Sequence, residues 1–501
     1  MVTAQSRYLE HAEDVLTQFL DWSETIGAAL VMITGIEGGS VRDLGALMAV
    51  NASGDIAGYI SGGCIDADVA LQAQSAIAAG EPKSLRYGSG SPFTDLPLPC
   101  GGAIEIVIEP NPDSTALRAC RDRLRARKPA TLTLDAAGEF TARYQPKLRM
   151  RIAGRGADAL ALARLAKASG VEIDLQLRDG EDLDHAKACG FHDAIALDTP
   201  SDLPANHDDP FTAFVLMFHD NDWEVPLLQQ ALSGPAFYVG AVGSMRTQQR
   251  RTSELLSSGV PESLVRRVRG PVGLIGGMRD ASMLAVSTFA EIVEAYHVQK
   301  ANVFASTAII LLSAGQSARF EEGDKLMTDL EGAPLIRHAA RLLETTPCAA
   351  RLAIVGPDQL DRAAELRRFG WAVIENKEAR SGQATSLRAG IEAAQHIPGV
   401  QSAMILLADM PDVSPHHLTA LAETHAYGKS AAMSESSGVL MPPAMFSEDT
   451  FSALCAIGGD QGARSVFASL KNTVTLPITP TEARDIDTLA DLHDRMEARY
   501  A

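Results

Sequence analysis

Arg319, Lys325, Asp409 and Asp487 are the residue types that a nucleoside triphosphate and its cation require, and each stands in a segment suited to present it. In Leu312-Ser313-Ala314-Gly315-Gln316-Ser317-Ala318-Arg319 an apolar stretch runs into small residues. Small side chains let the N–H groups of Ala314, Gly315, Gln316 and Ser317 approach phosphate oxygens, while Arg319 and Lys325 offset the remaining charge. The GxxxxGK[ST] pattern of a P-loop is absent from this segment. An ordinary strand–loop–helix turn with surface charges could use the same residues, and the acids argue against that. Residues 403–408 form an apolar run ending in Asp409, closed by Met410-Pro411. A carboxylate at the C-terminal end of a buried parallel strand lies where α/β sheets hold their ligands. Asp487 offers a second carboxylate, and two carboxylates with phosphate oxygens make a Mg²⁺ site. Asp491 reads instead as a cap for the last helix.

Two turns pair cysteine with glycines: Ser61-Gly62-Gly63-Cys64 and Cys100-Gly101-Gly102. Exposed N–H groups in such turns bind an anion or, where the turn opens a helix, lower a thiol pKa. Residues 66–79, just after Cys64, have a helical pattern. Buried, inert cysteines in glycine turns remain the plain alternative. Gly154-Arg155-Gly156-Ala157-Asp158-Ala159 fits G-x-G-x-x-A between a strand and a helix. The acid expected after the next strand is displaced, since Gln176 holds its place and Asp179 lies beyond. The turn can therefore serve a dinucleotide, or Arg155 can meet a cofactor phosphate. A dehydrogenase ranks last, because no catalytic donor or base accompanies the glycines.

The elements that must position these residues fall into three blocks. A chain of 501 residues exceeds one core, and the expected domains are 1–147, 148–300 and 301–501. The first has helical periodicity over 8–19 and strand-like runs at 28–33, 47–50 and 103–109. The second begins with strands at 148–153 and 171–177 around a helix at 157–169, and ends in a helix over 282–296. That order requires a parallel sheet with a right-handed crossover. The third alternates strands (307–312, 351–355, 372–374, 403–407) with helical segments. The fold class is thus α/β: an α+β domain, a Rossmann-like domain and a further α/β domain with a mostly parallel sheet.

The formal net charge of −19 argues against a nucleic-acid or anionic-membrane surface. No apolar run approaches the ~20 residues that span a bilayer, and no signal-peptide pattern opens the chain. Six scattered cysteines lack zinc spacing. A cytoplasmic protein with reduced thiols is expected.

The third block resembles the MobA/MocA-type nucleotidyltransferases, which attach GMP or CMP to molybdenum cofactor. It has their LxAGxSxRF…K opening, with Ser313 in the first variable place, then GxxxSLxxG (Gly382, Ser386, Leu387, Gly390), LADxP at 407–411, GDxGAR at 459–464 and DIDTxxD at 485–491. The resemblance implies nucleotide contacts from Ala314, Gly315, Gln316, Ser317, Arg319, Lys325 and Ser386, catalysis by Arg319, Lys325 and Asp409, and Mg²⁺ on Asp409 and Asp487. The Ser-Ala-Gly turn is similar to that of the cytidylyltransferase branch, so CTP is expected ahead of GTP. Glu321-Glu322-Gly323 and Met441-Pro442-Pro443 depart from the family pattern, the latter near the expected pterin pocket.

The first two blocks resemble the XdhC/CoxI family, which binds molybdenum cofactor and matures xanthine dehydrogenase-type enzymes. The GSxRxxGA element (Ser40, Arg42), SGGC (Cys64) and CGG (Cys100, Gly101, Gly102) carry the first part of the likeness. Residues 238–246, 271–274 and 285–291 carry the second, and the loop 275–281 departs from it. Cofactor contacts are implied for Ser40, Arg42, Cys64, Cys100, Gly101, Gly102, Gly154 and Gly156. Together the resemblances imply a bifunctional maturation protein that cytidylylates molybdopterin and hands it to a molybdenum hydroxylase. A cysteine desulfurase partner and a homodimer are further expectations. A guanylyltransferase, a transferase for another acceptor and a non-catalytic cofactor chaperone remain the alternatives.

Overall fold

Period-two placement of apolar residues seeds the first sheet: Leu30 and Met32 of one strand pack on one face, Val31 and Ile33 on the other. A computed structural model describes residues 6–89, 102–138, 140–316, 320, 323–344, 346–426, 429–459 and 462–498. The chain divides into two units, Met1–Lys147 and Leu148–Ala501.

In the first unit β1 (Ser6–Arg7), β2 (Ala28–Glu37), β3 (Leu47–Asn51), β4 (Ile56–Gly58), β5 (Lys83–Gly88) and β6 (Ala103–Glu109) form a sheet in the order β1-β4-β3-β2-β6-β5. The helices Ala12–Thr25 and Ser114–Arg125 cover one face and Asp66–Ala79 the other. Both faces of β2 are therefore buried, which its uninterrupted apolar run requires. A hairpin of β7 (Ala130–Thr133) and β8 (Thr141–Tyr144) completes the unit. The first helix starts later than its periodicity predicts. The His11 ring caps it by accepting from the Glu13 N–H, and upstream Ser6 and Arg7 pair with Ile56 and Ala57.

The second unit contains two larger sheets. Strands β9 (Arg149–Gly154), β10 (Glu172–Leu177), β11 (Ile195–Ala196), β12 (Thr212–Met217), β13 (Tyr238–Ala241) and β14 (Val268–Arg269) are all parallel, in the order β11-β10-β9-β12-β13-β14. This is a doubly wound, Rossmann-like sheet whose strand order reverses beside β9. Its last helix, Ala281–Ala301, outruns the expected 282–296.

The remaining strands are β15 (Thr307–Leu312), β16 (Asp329–Leu330), β17 (Ala333–Pro334), β18 (Ala350–Val355), β19 (Ala372–Glu375), β20 (Ser402–Leu407), β21 (Ala431–Ser436), β22 (Val439–Ser447) and β23 (Thr473–Pro477). Seven of them form a sheet ordered β19-β18-β15-β20-β22-β21-β23. Only β22 runs antiparallel to its neighbours. Strands β15 and β20 are buried on both faces: Ile309, Leu311 and Met404 on one, Ala308, Ile310 and Ile405 on the other. Each of the Ile, Leu and Met side chains contributes roughly 1.5–3 kcal/mol by burial. The adjacent C-terminal ends of β15 and β20 carry the glycine loop and Asp409. No described helix is long and apolar enough to cross a membrane.

Candidate active site

Parallel pairing of β15 with β20, Leu312 opposite Leu407, brings the loop 313–316 beside Asp409. The Ala408 N–H donates to the Leu312 carbonyl at 3.2 Å and fixes that approach. The Asp409 carbonyl in turn accepts from the Ile486 N–H at 3.0 Å, so the segment carrying Asp487 is tied to the same strand end. These segments line a cavity of about 370 Å³. Of the residues expected to bind nucleotide or metal, Ala314, Gly315, Gln316, Lys325, Ser386, Asp409 and Asp487 all line it. Ser317 and Arg319 lie outside the described residues.

Lys325 opens a short 3-10 turn capped by Asp324, whose Oδ1 accepts from the Leu326 N–H at 3.0 Å. Its Nζ is 2.8 Å from Asp409 Oδ2 and 2.9 Å from Asp487 Oδ1. Burial works against the ammonium charge. The two carboxylates outweigh it, so the amine stays protonated to a higher pH than an ordinary lysine. Burial, then the Asp487 charge, pushes the neighbouring Asp485 carboxyl up. Asp491 accepts from the Asp487 and Thr488 N–H groups, which is the capping role expected of it. Ser386, in the helix Gln383–Gln395, is buried and its Oγ is 3.0 Å from Asn376 Nδ2.

Three contributors had no sequence signal. Arg362, in the helix Leu360–Arg368, is 2% exposed and reaches the loop carbonyls and Asp324. Gln359 donates to the carbonyls of Ala314 and Gly315. Asn376 holds Ser386 and Thr385 together. Polar residues on a charged helix ordinarily face water. In the structure Arg362 is buried together with Ala363, Glu365 and Leu366 of the same helix.

The glycine motifs of the first unit also meet. A Cβ on Gly102 would lie 2.4 Å from the Gly39 carbonyl oxygen, so this close approach requires glycine. Val41 Cγ1 is 3.6 Å from the position a Gly62 Cβ would take, which puts the Ser40–Arg42 loop against the turn before Cys64. Ser40 Oγ donates to the Arg42 carbonyl at 2.8 Å, and Arg42 donates to the Glu10 carbonyl and lies over the Tyr59 ring. Cys64 is exposed; Cys100 and Gly101 lie outside the described residues. The N–H groups expected to await an anion here are partly taken. The buried Asp66 carboxylate accepts from Ile60, Ser61 and Gly63 at 2.9, 2.9 and 2.6 Å.

The Rossmann-like turn is filled in the same way. Gly156 has φ +64° and donates its N–H to Asp182 Oδ2 at 2.6 Å, while Arg155 pairs with Asp179 at 2.7 Å. Gly154 serves packing, because a Cβ there would stand 2.2 Å from Ala159 Cβ. The Asp182 carboxylate thus takes the Gly156 N–H that a dinucleotide phosphate would use.

Three family models match the chain in order: the XdhC and CoxI family over residues 22–88, the XdhC Rossmann domain over 150–292 and the MobA-like NTP transferase domain over 309–474. Among named relatives, the molybdenum cofactor insertion chaperone PaoD of Escherichia coli (strain K12) is 34% identical over 283 residues, spanning 53% of this chain and 82% of PaoD. The purine catabolism protein PucB of Bacillus subtilis (strain 168) is 30% identical over 171 residues, 32% of this chain and 80% of PucB. A solved structure described as a xanthine dehydrogenase from Bacillus halodurans is 23% identical, covering 57% of this chain and 96% of its own, with a TM-score of 0.48. The chain therefore belongs to the XdhC and CoxI family, with a MobA-like NTP transferase domain fused behind its Rossmann domain.

Proposed function

We propose that the C-terminal cavity transfers CMP from CTP to the terminal phosphate of molybdopterin, and that the XdhC-type parts bind the product and hand it to a xanthine dehydrogenase-family enzyme. The observation that carries this reading is Lys325 held between Asp409 and Asp487 beneath a loop of small residues. In the reaction an oxygen of the cofactor phosphate attacks the α-phosphorus of CTP, the bond to the β-phosphate oxygen breaks, and pyrophosphate leaves. The nucleophile is already an anion, so no general base is needed. The barrier lies in bringing one anion up to another, which positioning and charge neutralisation lower.

Lys325, with Arg319 in the same segment, would hold the triphosphate. The carboxylates fit a divalent cation, because Asp409 Oδ2 and Asp487 Oδ1 already share one positive charge, the Lys325 ammonium, at 2.8 and 2.9 Å. Among the described residues no group of three or more His, Cys, Asp or Glu could hold a metal ion. Mg²⁺ needs no such cage, since it takes one or two protein carboxylates together with substrate phosphates. Asp409 and Asp487 would hold it, and it would supply charge neutralisation at the phosphates.

The domain division at 147/148 and 300/301 belongs to the same reading, and fusion would raise the cofactor's effective concentration between steps. The chaperone name of PaoD supports the hand-over half. It also favours a second reading, in which the transferase domain binds cofactor without turning over. Pyrophosphate release from CTP and, separately, GTP, with Mg²⁺ and purified molybdenum cofactor, separates the two.

A further inference from the structure

The helix Leu360–Arg368 lies outside every motif that pointed to the site, yet one of its side chains touches both halves of it. Arg362 donates from Nη1 to the carbonyls of Ser313 and Gly315, at 2.5 and 2.8 Å. Its Nε and Nη2 grip Asp324 in a bidentate pair at 2.7 and 2.5 Å. A planar guanidinium suits this task, because its donors lie in a fixed fork. Beside it, the Gln359 amide takes the Ala314 and Gly315 carbonyls at 3.3 and 3.2 Å, and its Oε1 accepts from the Gly356 N–H at 2.6 Å.

These bonds have a directional consequence. In a trans peptide the C=O and the following N–H point opposite ways. Holding the carbonyls of 313, 314 and 315 on the helix side turns the N–H groups of Ala314, Gly315 and Gln316 the other way. Those N–H groups have no protein acceptor among the described residues. Asp324, the other end of the bidentate pair, caps the turn that presents Lys325. One buried guanidinium thus connects the N–H cradle to the lysine.

We propose that Arg362 is the positioning residue of the triphosphate site: it orients the backbone donors of residues 314–316 and, through Asp324, fixes Lys325 in register with them. On this proposal Arg362 serves the nucleotide through these groups, as a positioning residue and not as a ligand. This inference rests on the nucleotidyl-transfer reading of the same cavity. It makes the site's anion affinity depend on a residue outside the cavity lining.

The test measures CTP binding by calorimetry, and steady-state KM and kcat, for the full-length chain and its Arg362→Met, Arg362→Lys and Asp324→Asn variants. Arg368→Ala, in the same helix and exposed, is the control. Arg362→Met should weaken CTP binding and raise KM by about 10- to 100-fold, the scale of charge-assisted hydrogen bonds, with kcat changed far less. Arg362→Lys should recover part of the loss, Asp324→Asn should reproduce much of it, and Arg368→Ala should match the parent. If Arg362→Met does not fold, the other two variants carry the test. Variants that fold and bind CTP like the parent overturn the inference while leaving the nucleotidyl-transfer reading intact. A parent chain that binds neither CTP nor GTP overturns both.

Discussion

Lys325 and Asp409 stand 84 residues apart in the chain, yet their charged atoms meet at 2.8 Å at the mouth of two adjacent parallel strands. Asp487 reaches the same ammonium at 2.9 Å. One cation between two carboxylates leaves a net negative point facing donors of the opposite sense in the loop 313–316. A triphosphate needs those donors and the lysine, and a divalent cation needs the acids. The resting contact keeps both sets in place and offsets part of the acids' charge.

Turnover should therefore collapse when either partner loses its charge. Lys325→Met leaves two carboxylates converging on one point, and Asp409→Asn removes half of the proposed cation site. Each should lower the rate of pyrophosphate release by about 10²–10⁴, the range for groups that stabilise developing charge. Folding should persist in both, as judged by circular dichroism. A variant with parental turnover would remove its residue from the mechanism.

Base choice is predicted to respond to Ala314. Its side chain is 4% exposed and lines the cavity. Ala314→Gly removes one methyl and should lower the preference for CTP over GTP by about 10-fold, the lower end of what one such group discriminates. Competition between the two nucleotides measures the ratio directly, and an unchanged ratio would clear Ala314 of any part in selectivity.

Gly154 should resist substitution for a packing reason alone. Gly154→Ala forces a Cβ to within 2.2 Å of Ala159 Cβ, so the helix Gly156–Ala168 must shift from the sheet. A loss of about 1–3 kcal/mol is expected, the usual cost of overpacking, read as an earlier thermal transition. Because Asp182 fills the turn, calorimetry with NAD should show no binding there in either protein.

His11 should titrate near pH 4. Burial is the main cause of its depressed pKa, and the ring's bonds agree with it: Nε2 lies 2.9 Å from the Gln145 carbonyl, and Nδ1 accepts from the Glu13 N–H. Only the neutral ring can do both, since protonation of Nδ1 abolishes the cap. The folded value lies below the unfolded one of about 6.5. This contribution is thus complete above pH 6.5 and is lost as the pH falls toward 4. NMR titration of the imidazole checks it, and a midpoint near 6.5 would contradict the burial and the cap together.

Much of this architecture can be read from the residues, and the failures have local causes. The runs that became β2, β15 and β20 were legible because strands buried on both faces tolerate no polar interruption. Asp409 was legible because it closes such a run, Lys325 because it follows the small-residue loop after another, and Asp487 because it stands in the acidic stretch 485–491. Arg362 was not, since a charged residue on a short charged helix carries no mark of burial. Nor were the Asp66 and Asp182 carboxylates that fill the glycine turns, because their positions depend on where each helix docks. The first helix was displaced because His11, an unusual cap, starts it at Ala12 rather than at residue 8.

The most direct measurement of the central claim follows the label from α-³²P CTP into purified molybdenum cofactor, using the full-length chain with Mg²⁺. Transfer of labelled CMP to the cofactor with stoichiometric pyrophosphate, abolished in Asp409→Asn, is the predicted result. Cofactor that binds the chain but never acquires label from CTP or from GTP would contradict it, and would leave the C-terminal cavity as a binding site alone.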